Sequence, residues 1–180
     1  MRVVSGNARG TVLKTPDGLK TRPTSDRVKE AMFSILQFEL QDAKILDLFG
    51  GTGQLGIEGL SRGAQKAVFV DESAIACNLI RENLRRTNLT QRASVVQSDY
   101  LTYLKSCKEK YNIIILDPPY AQLFLENALK IISEIDILQY DGIIVTERPV
   151  EKDLNLILNG FERSKDYKYG NTVLSIYRKV

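Results

Sequence analysis

The tetrapeptide Asp117-Pro118-Pro119-Tyr120 follows an uninterrupted apolar run at residues 113–116. The exocyclic amino group of a nucleic-acid base is a weak nucleophile, because its lone pair is delocalised into the ring. The Asp117 carboxylate and the Pro118 carbonyl can each accept one amino hydrogen, while the two prolines fix the backbone that presents them. The Tyr120 ring can stack on an extruded base. The tetrapeptide therefore predicts methylation of a base amino group, with orientation as the main source of catalysis.

A glycine-rich segment, Asp-Leu-Phe-Gly-Gly-Thr-Gly from Asp47 to Gly53, ends an earlier apolar run. Its spacing Gly51-x-Gly53-x-x-Gly56 also fits the dinucleotide fingerprint, so a nicotinamide cofactor is an alternative. A carboxylate at Asp47 would repel a pyrophosphate, whereas it favours the cationic ammonium and sulfonium groups of S-adenosylmethionine. We therefore expect S-adenosylmethionine, released as S-adenosylhomocysteine, to be bound by Asp47, Phe49, Gly51 and Gly53.

Two further aspartates end the next two predicted strands. Asp71 follows residues 67–70, and a carboxylate there can accept both ribose hydroxyls of a nucleoside cofactor. Asp99 follows the strand predicted at 94–96 and can accept the adenine amino group. Each aspartate is also a good helix N-cap, and capping is the alternative role.

Strands and helices are predicted to alternate from about residue 44 onwards. Strands are predicted at residues 45–49, 67–70, 94–96, 113–116 and 142–146. Helices are predicted at residues 56–62, 73–87, 100–106 and 122–134. A closing hairpin is predicted from residues 161–164 and 173–177. This order predicts a Rossmann-like α/β fold, a doubly wound and mostly parallel sheet with an antiparallel C-terminal hairpin, whose ligands bind beyond the carboxyl ends of the strands.

The N-terminal segment differs from the rest in charge and pattern. Residues 2–4 and 11–13 read as short β segments, and a helix is predicted from about residue 23 to 37. We expect residues 1–40 to form a small β/α extension of a methyltransferase domain at 41–180. Residues 1–30 hold seven basic and three acidic residues, a net charge of +4, although the whole chain carries only +3. A basic end on a nearly neutral body suits contact with a polyanion, with Arg2 and Arg9 as candidate contacts.

The composition of the 180-residue chain limits the other possibilities. It is 43% hydrophobic and 26% charged, as in an ordinary soluble globular protein, and no apolar run approaches a membrane span. There is no histidine, which excludes Ser-His or Cys-His nucleophiles and imidazole zinc sites. The two cysteines, Cys77 and Cys107, lack metal-like spacing and are expected to be reduced thiols. We expect a cytoplasmic monomer without a metal.

Together, these motifs resemble those of a known family. The chain resembles the bacterial RsmD-type 16S rRNA (guanine(966)-N(2))-methyltransferases, which are class I methyltransferases, over nearly its whole length. The resemblance is carried by residues 2–10, by the stretch at 22–30 that is similar to the family's RPTxDRVxE, by the cofactor loop at 47–53 with its continuation at 55–64, by residues 117–120 and by residues 169–172. Gln54 departs from the small residue that the family often has there.

The resemblance implies methylation of the N2 amino group of a guanine in 16S rRNA, within the small ribosomal subunit or an assembly intermediate. It also places residues of the 22–30 stretch at the mouth of the active site. The residues expected to contact RNA are therefore Arg2, Arg9, Arg22, Thr24 and Arg27.

Three alternatives remain open from the residues. The catalytic tetrapeptide is shared with adenine-N6 and cytosine-N4 methyltransferases, so another RNA or DNA is an alternative substrate, although 180 residues leave little room for a DNA target-recognition region. A nicotinamide-dependent oxidoreductase would leave residues 117–120 unexplained. A non-catalytic RNA-binding assembly module would not require the intact tetrapeptide and glycine loop.

Overall fold

The computed structural model describes residues 1–16, 26–119, 123–154 and 158–180. In those residues the strands are β1 (Lys44–Asp47), β2 (Lys66–Asp71), β3 (Ala93–Gln97), β4 (Tyr111–Leu116), β5 (Leu138–Pro149), β6 (Phe161–Tyr169) and β7 (Thr172–Lys179). The α-helices are α1 (Asp26–Ile35), α2 (Gln54–Ser61), α3 (Ala74–Arg86), α4 (Tyr100–Ser106) and α5 (Phe124–Glu134). None of these helices is long and apolar enough to cross a membrane.

The seven strands form one sheet in the order β3-β2-β1-β4-β5-β7-β6. Strands β1 to β5 run parallel, whereas β7 pairs antiparallel with both β5 and β6. The chain order reverses at β1, where the sheet continues to β3 on one side and to β5 on the other. This topology confirms the predicted Rossmann-like fold with its antiparallel C-terminal hairpin.

Each face of the sheet is covered by a separate apolar cluster. Alternate residues of each central strand point to opposite faces, so Ile45 and Ile113 lie in one cluster, whereas Leu46 and Ile114 lie in the other. The first cluster also contains buried residues of α1, α2 and α3, and of the N-terminal segment. The second contains buried residues of α4 and α5.

The predicted elements are present, with different boundaries. The strand predicted at 142–146 extends over Leu138–Pro149, because it pairs with β4 at one end and with β7 at the other. The helix predicted at 56–62 begins two residues earlier, directly after Gly53, whose φ of 79° is the left-handed backbone that favours glycine. The two predicted N-terminal β segments are reduced to one bridge between Arg2 and Val12.

The N-terminal segment is bound to α2 by a buried carboxylate. Glu58 accepts hydrogen bonds from the backbone N–H groups of Val4 and Ser5, at 2.8 and 2.9 Å. It also accepts one from Nε of Arg62 at 2.8 Å, and Nζ of Lys29 lies 3.8 Å away. Glu58 and Lys29 are both fully buried, and a buried charge is stable only with such partners.

A buried amide joins the N-terminal segment to the glycine loop. Oδ1 of Asn83 accepts the N–H of Lys14 at 2.7 Å, and its Nδ2 donates to the Lys14 carbonyl at 3.1 Å. The same Nδ2 donates to the carbonyl of Thr52 at 2.8 Å. One α3 side chain therefore satisfies backbone groups of two segments that are distant in sequence.

Replacing this amide tests its contribution to stability. We expect Asn83→Ala to lower the free energy of unfolding by about 2–4 kcal/mol, since it leaves buried backbone groups without partners. Urea denaturation followed by circular dichroism measures this difference. Asn78→Ala, which alters an exposed residue of the same helix, should change stability by less than about 0.5 kcal/mol. Equal stabilities of the two variants would contradict the role of Asn83.

Candidate active site

A cavity of about 1030 Å³ opens at the carboxyl ends of the parallel strands. Its volume is sufficient for a nucleoside cofactor together with part of a second ligand. The predicted site residues that offer acceptor groups each end a strand of the sheet or follow one. Those that line the cavity are Asp47, Asp71, Asp99, Asp117 and Pro118.

Asp47 ends β1 at the base of this cavity and is almost completely buried. Its Oδ2 accepts the backbone N–H of Gly56 at 3.0 Å, and its Oδ1 has no hydrogen-bond partner among the described residues. Burial raises the pKa of this carboxyl to about 7, the Gly56 N–H opposes that rise, and the nearby Asp71 carboxylate adds to it. A cation that entered the cavity would stabilise the ionised form of Asp47.

Asp71 supports the glycine loop from the neighbouring strand. Its Oδ2 accepts the N–H of Gly51 at 2.9 Å, and its Oδ1 accepts the N–H of Ser73. The N-cap of α3 is Ser73, whose hydroxyl accepts the N–H of Ala76, so the alternative role of Asp71 as the helix N-cap is not observed. The Asp71 carboxylate lines the cavity beside the loop.

Asp99 follows β3 and does cap a helix. Its carboxylate accepts the N–H of Thr102 at 2.9 Å, and hydrogen bonds from the side chain and then the backbone of Thr102 lower the pKa of Asp99. The residue nevertheless lines the cavity, so capping leaves it at the site.

Three aromatic rings form an apolar wall of the cavity. The centroid of Phe49 lies 5.4 Å from that of Tyr100 and 6.1 Å from that of Phe124, and the latter two are 5.5 Å apart. All three residues line the cavity. Phe49 was predicted from the loop, whereas the other two were missed, because a single aromatic residue at a helix start gives no distinctive sequence signal.

The catalytic motif lies at the same edge, directly after β4. Asp117 is half-buried, Pro118 is buried and Pro119 is exposed, and all three line the cavity. Tyr120 lies outside the described residues. The two residues of the predicted acceptor pair, Asp117 and Pro118, therefore line the same cavity as Gly51 of the glycine loop, whereas the predicted Gly53 does not line it.

The predicted RNA contacts are only partly described. Arg2, Arg9 and Arg27 have exposed side chains, whereas Arg22 and Thr24 lie outside the described residues. Other members of the N-terminal segment reach the cavity itself, namely Met1, Thr15 and Pro16. The basic segment thus borders the cavity, a feature that its charge alone did not predict.

Two buried polar residues that line the cavity were not predicted as site residues. Gln54 is buried, and its Oε1 has no hydrogen-bond partner among the described residues. Glu147 lies in β5 and is 4% exposed. No local motif marks Glu147, because its position depends on the pairing of β5 with β4.

The buried carboxyl of Asp47 should make stability depend on pH. The folded pKa, about 7, is above the unfolded value of 3.8, so the unfolded chain loses this proton first as pH rises. This group therefore lowers stability progressively between about pH 4 and pH 7, with the full penalty present above the folded pKa. We therefore compare the Tm of Asp47→Asn with that of the unsubstituted protein, both without cofactor. We expect this Tm difference to increase by several degrees in favour of Asp47→Asn as pH is raised from 4 to 8.

The matched control is Asp141→Asn, which removes an exposed carboxylate. Its Tm difference from the unsubstituted protein should vary little over the same pH range. A constant difference for Asp47→Asn as well would show that Asp47 is ionised in the folded protein throughout.

Known proteins are similar to this chain in sequence and in fold. The family model described as Conserved hypothetical protein 95 matches residues 1–178. The YlbH protein of Bacillus subtilis (strain 168) is 37% identical over 182 residues, which cover 99% of each chain. Ribosomal RNA small subunit methyltransferase D of Escherichia coli (strain K12) is 30% identical over 179 residues, 99% of this chain and 90% of that one.

A solved structure also has the fold of this chain. The Escherichia coli protein yhhF has a TM-score of 0.89 and 31% sequence identity, and the match covers 99% of this chain and 97% of that one. These matches span the N-terminal segment, the glycine loop and the catalytic motif together. The chain therefore belongs to the Conserved hypothetical protein 95 family, the RsmD family, and is a methyltransferase enzyme.

Proposed function

We propose that this enzyme transfers a methyl group from S-adenosylmethionine to the N2 amino group of a guanine in 16S rRNA. The observation that carries the proposal is the meeting of the glycine loop, Asp71 and Asp117 in one cavity. The relative named Ribosomal RNA small subunit methyltransferase D supports the choice of ribosomal RNA. A small ribosomal subunit or an assembly intermediate is the proposed physical form of that substrate.

The cofactor half of the cavity has the donor and acceptor groups that S-adenosylmethionine requires. Asp47 supplies a carboxylate for a cationic group, and Asp71 can accept ribose hydroxyls beside the loop that it already supports. Asp99 can accept an adenine amino group, and the wall of Phe49 and Tyr100 can cover an adenine face. When bound, S-adenosylmethionine supplies an electrophilic methyl group.

The catalytic half of the cavity orients a base amino group. The carboxylate of Asp117 and the carbonyl of Pro118 can accept its two hydrogens, which directs the nitrogen lone pair away from both acceptors. The prolines limit movement of this backbone, so little orientation has to be gained during the reaction. As the new N–C bond forms, the amino nitrogen becomes acidic, and Asp117 can accept the proton that it loses. Tyr120 is proposed to stack on the base.

The basic N-terminal segment is proposed to bind RNA beside the cavity. Glu58 and Lys29 hold this segment on the methyltransferase core, with Nζ of Lys29 also donating to the carbonyl of Arg2 at 2.7 Å. Arg2 is exposed and directly follows Met1, which lines the cavity, and this supports the proposed contact. Arg9, Arg22, Thr24 and Arg27 are proposed to extend the contact.

The test is methyl transfer to small ribosomal subunits and to 16S rRNA taken from a strain that lacks the enzyme. Radiolabelled S-adenosylmethionine is the donor, and digestion to nucleosides identifies the product. We expect label in N2-methylguanosine. Label in another nucleoside would retain the site chemistry and reject guanine, and cofactor binding without any label would favour a different substrate or an assembly role.

The same assay tests the role of the catalytic carboxylate. We expect Asp117→Ala to lower kcat at least about 100-fold, since it removes one of the two groups that orient the amino nitrogen. The dissociation constant of S-adenosylhomocysteine, measured by calorimetry, should change less than about threefold, because the cofactor is bound mainly by other residues. Parallel losses of methylation and of cofactor affinity would contradict this division of roles.

Charge reversal tests the proposed RNA surface. We expect the double substitution Arg2→Glu and Arg9→Glu to weaken binding to small subunits and to reduce the salt dependence of that binding, by about one in slope for each lost phosphate contact. The matched control reverses Arg85 and Arg86 at the end of α3, where both are exposed. Equal binding by the two double variants would show that the N-terminal charges are only solvated.

A further inference from the structure

The acceptor pair of the catalytic motif does not by itself select a base. Guanine, adenine and cytosine each carry an exocyclic amino group with two hydrogens, and Asp117 with Pro118 could hold any of them. The three bases differ at the ring nitrogen beside that group. Guanine has two such nitrogens, and one of them, N1, carries a hydrogen, whereas the single such nitrogen of adenine or cytosine has only a lone pair. A second acceptor at this position would therefore distinguish guanine.

The sheet places one more carboxylate at the catalytic edge. Strands β4 and β5 are adjacent and parallel, and Leu116 pairs with Thr146. The residues that follow this pair are therefore Asp117, directly after β4, and Glu147, in β5. Neighbouring strands lie about 4.8 Å apart, so the two side chains can reach neighbouring atoms of one base.

The orientation of Glu147 follows from its place in β5. Residues Ile143 and Val145 of this strand belong to the first apolar cluster, and Glu147 has the same parity. On that face the residue lines the cavity together with Asp117, although its side chain is 4% exposed. Its antiparallel partner on β7 is Leu174, which is also in the first cluster. Glu147 thus lines the cavity from a strand that pairs with β7 at this position and with β4 up to Thr146.

The geometry points to Glu147 as the residue that recognises guanine, an inference that rests on the proposed function. Its carboxylate accepts the N1–H of the extruded base while Asp117 and Pro118 hold the neighbouring amino group. A carboxylate is an acceptor only, so it repels the bare ring nitrogen of adenine or cytosine. The catalytic motif then performs the same chemistry as in other amino methyltransferases, and the adjacent strand determines the base.

The test compares guanine with 2-aminopurine, which retains the 2-amino group but has no hydrogen on N1. Each is placed at the methylated position of 16S rRNA by ligation, and the RNA is assembled into small subunits. We expect the unsubstituted enzyme to prefer guanine in kcat/KM by roughly 10- to 100-fold, which is the range for a hydrogen bond to a charged group. Glu147→Gln should reduce this ratio towards one, because an amide can donate to the bare N1 and accepts more weakly from N1–H.

The matched control is Glu151→Gln, which makes the same change at an exposed residue and should leave the ratio unaltered. A purely structural role of Glu147 would lower kcat/KM for both bases equally, and an unchanged ratio in Glu147→Gln would overturn the inference. It would also be overturned, whatever the stability of the variant, if the unsubstituted enzyme methylated both bases equally well. Methylation of guanine by the unsubstituted enzyme in this assay would still support the proposed function, whereas its failure would overturn both.

Discussion

The parallel arrangement of β1 to β5 is the constraint on which the site depends. Because these strands run in one direction, the residues that end or follow them meet at one edge of the sheet. This edge therefore collects side chains that are as far apart in sequence as Asp47 and Glu147. Reversal of the chain order at β1 opens the crevice between the two halves of the sheet. The residues proposed to bind the cofactor and the predicted catalytic motif both lie at this crevice, where the ends of the parallel strands meet.

The N-terminal segment is held against the site by hydrogen bonds from two helices. Glu58 binds its backbone to α2, and Asn83 binds it to α3 and to the glycine loop. These are hydrogen bonds of buried groups, which are more costly to leave unmade than they are strong when formed. A displacement of the segment would therefore disturb the loop through Thr52. The proposed RNA surface and the proposed cofactor loop share one support, so the position of one restricts the position of the other.

The sequence was sufficient to predict which residues end the strands. It was not sufficient to predict which segments lie beside each strand in the folded protein. Asp47 and Asp117 could be predicted because each directly follows an apolar run, which is a local feature. The burial of Lys29 could not, since it depends on the carbonyl of Arg2 and on Glu58, which come from other segments. Glu147 was missed for the same reason, because its pairing with β4 determines where it points. Asp99 shows that two predicted roles are compatible, since it caps α4 and still lines the cavity.

The environment of Asp47 relates stability to the proposed recognition of a cation. A fully charged carboxylate in this buried position would be strongly destabilising, and burial therefore favours the protonated form when the cavity contains no positive charge. A cationic ligand reverses this preference, because it stabilises the ionised form. Binding of the proposed cationic ligand would then include release of a proton from Asp47, and the affinity for that ligand would increase with pH up to the region of the folded pKa. The Gly56 N–H, which favours the ionised form, limits the free energy needed for that release. The first turn of α2, which contains Gly56, therefore affects the charge state of Asp47.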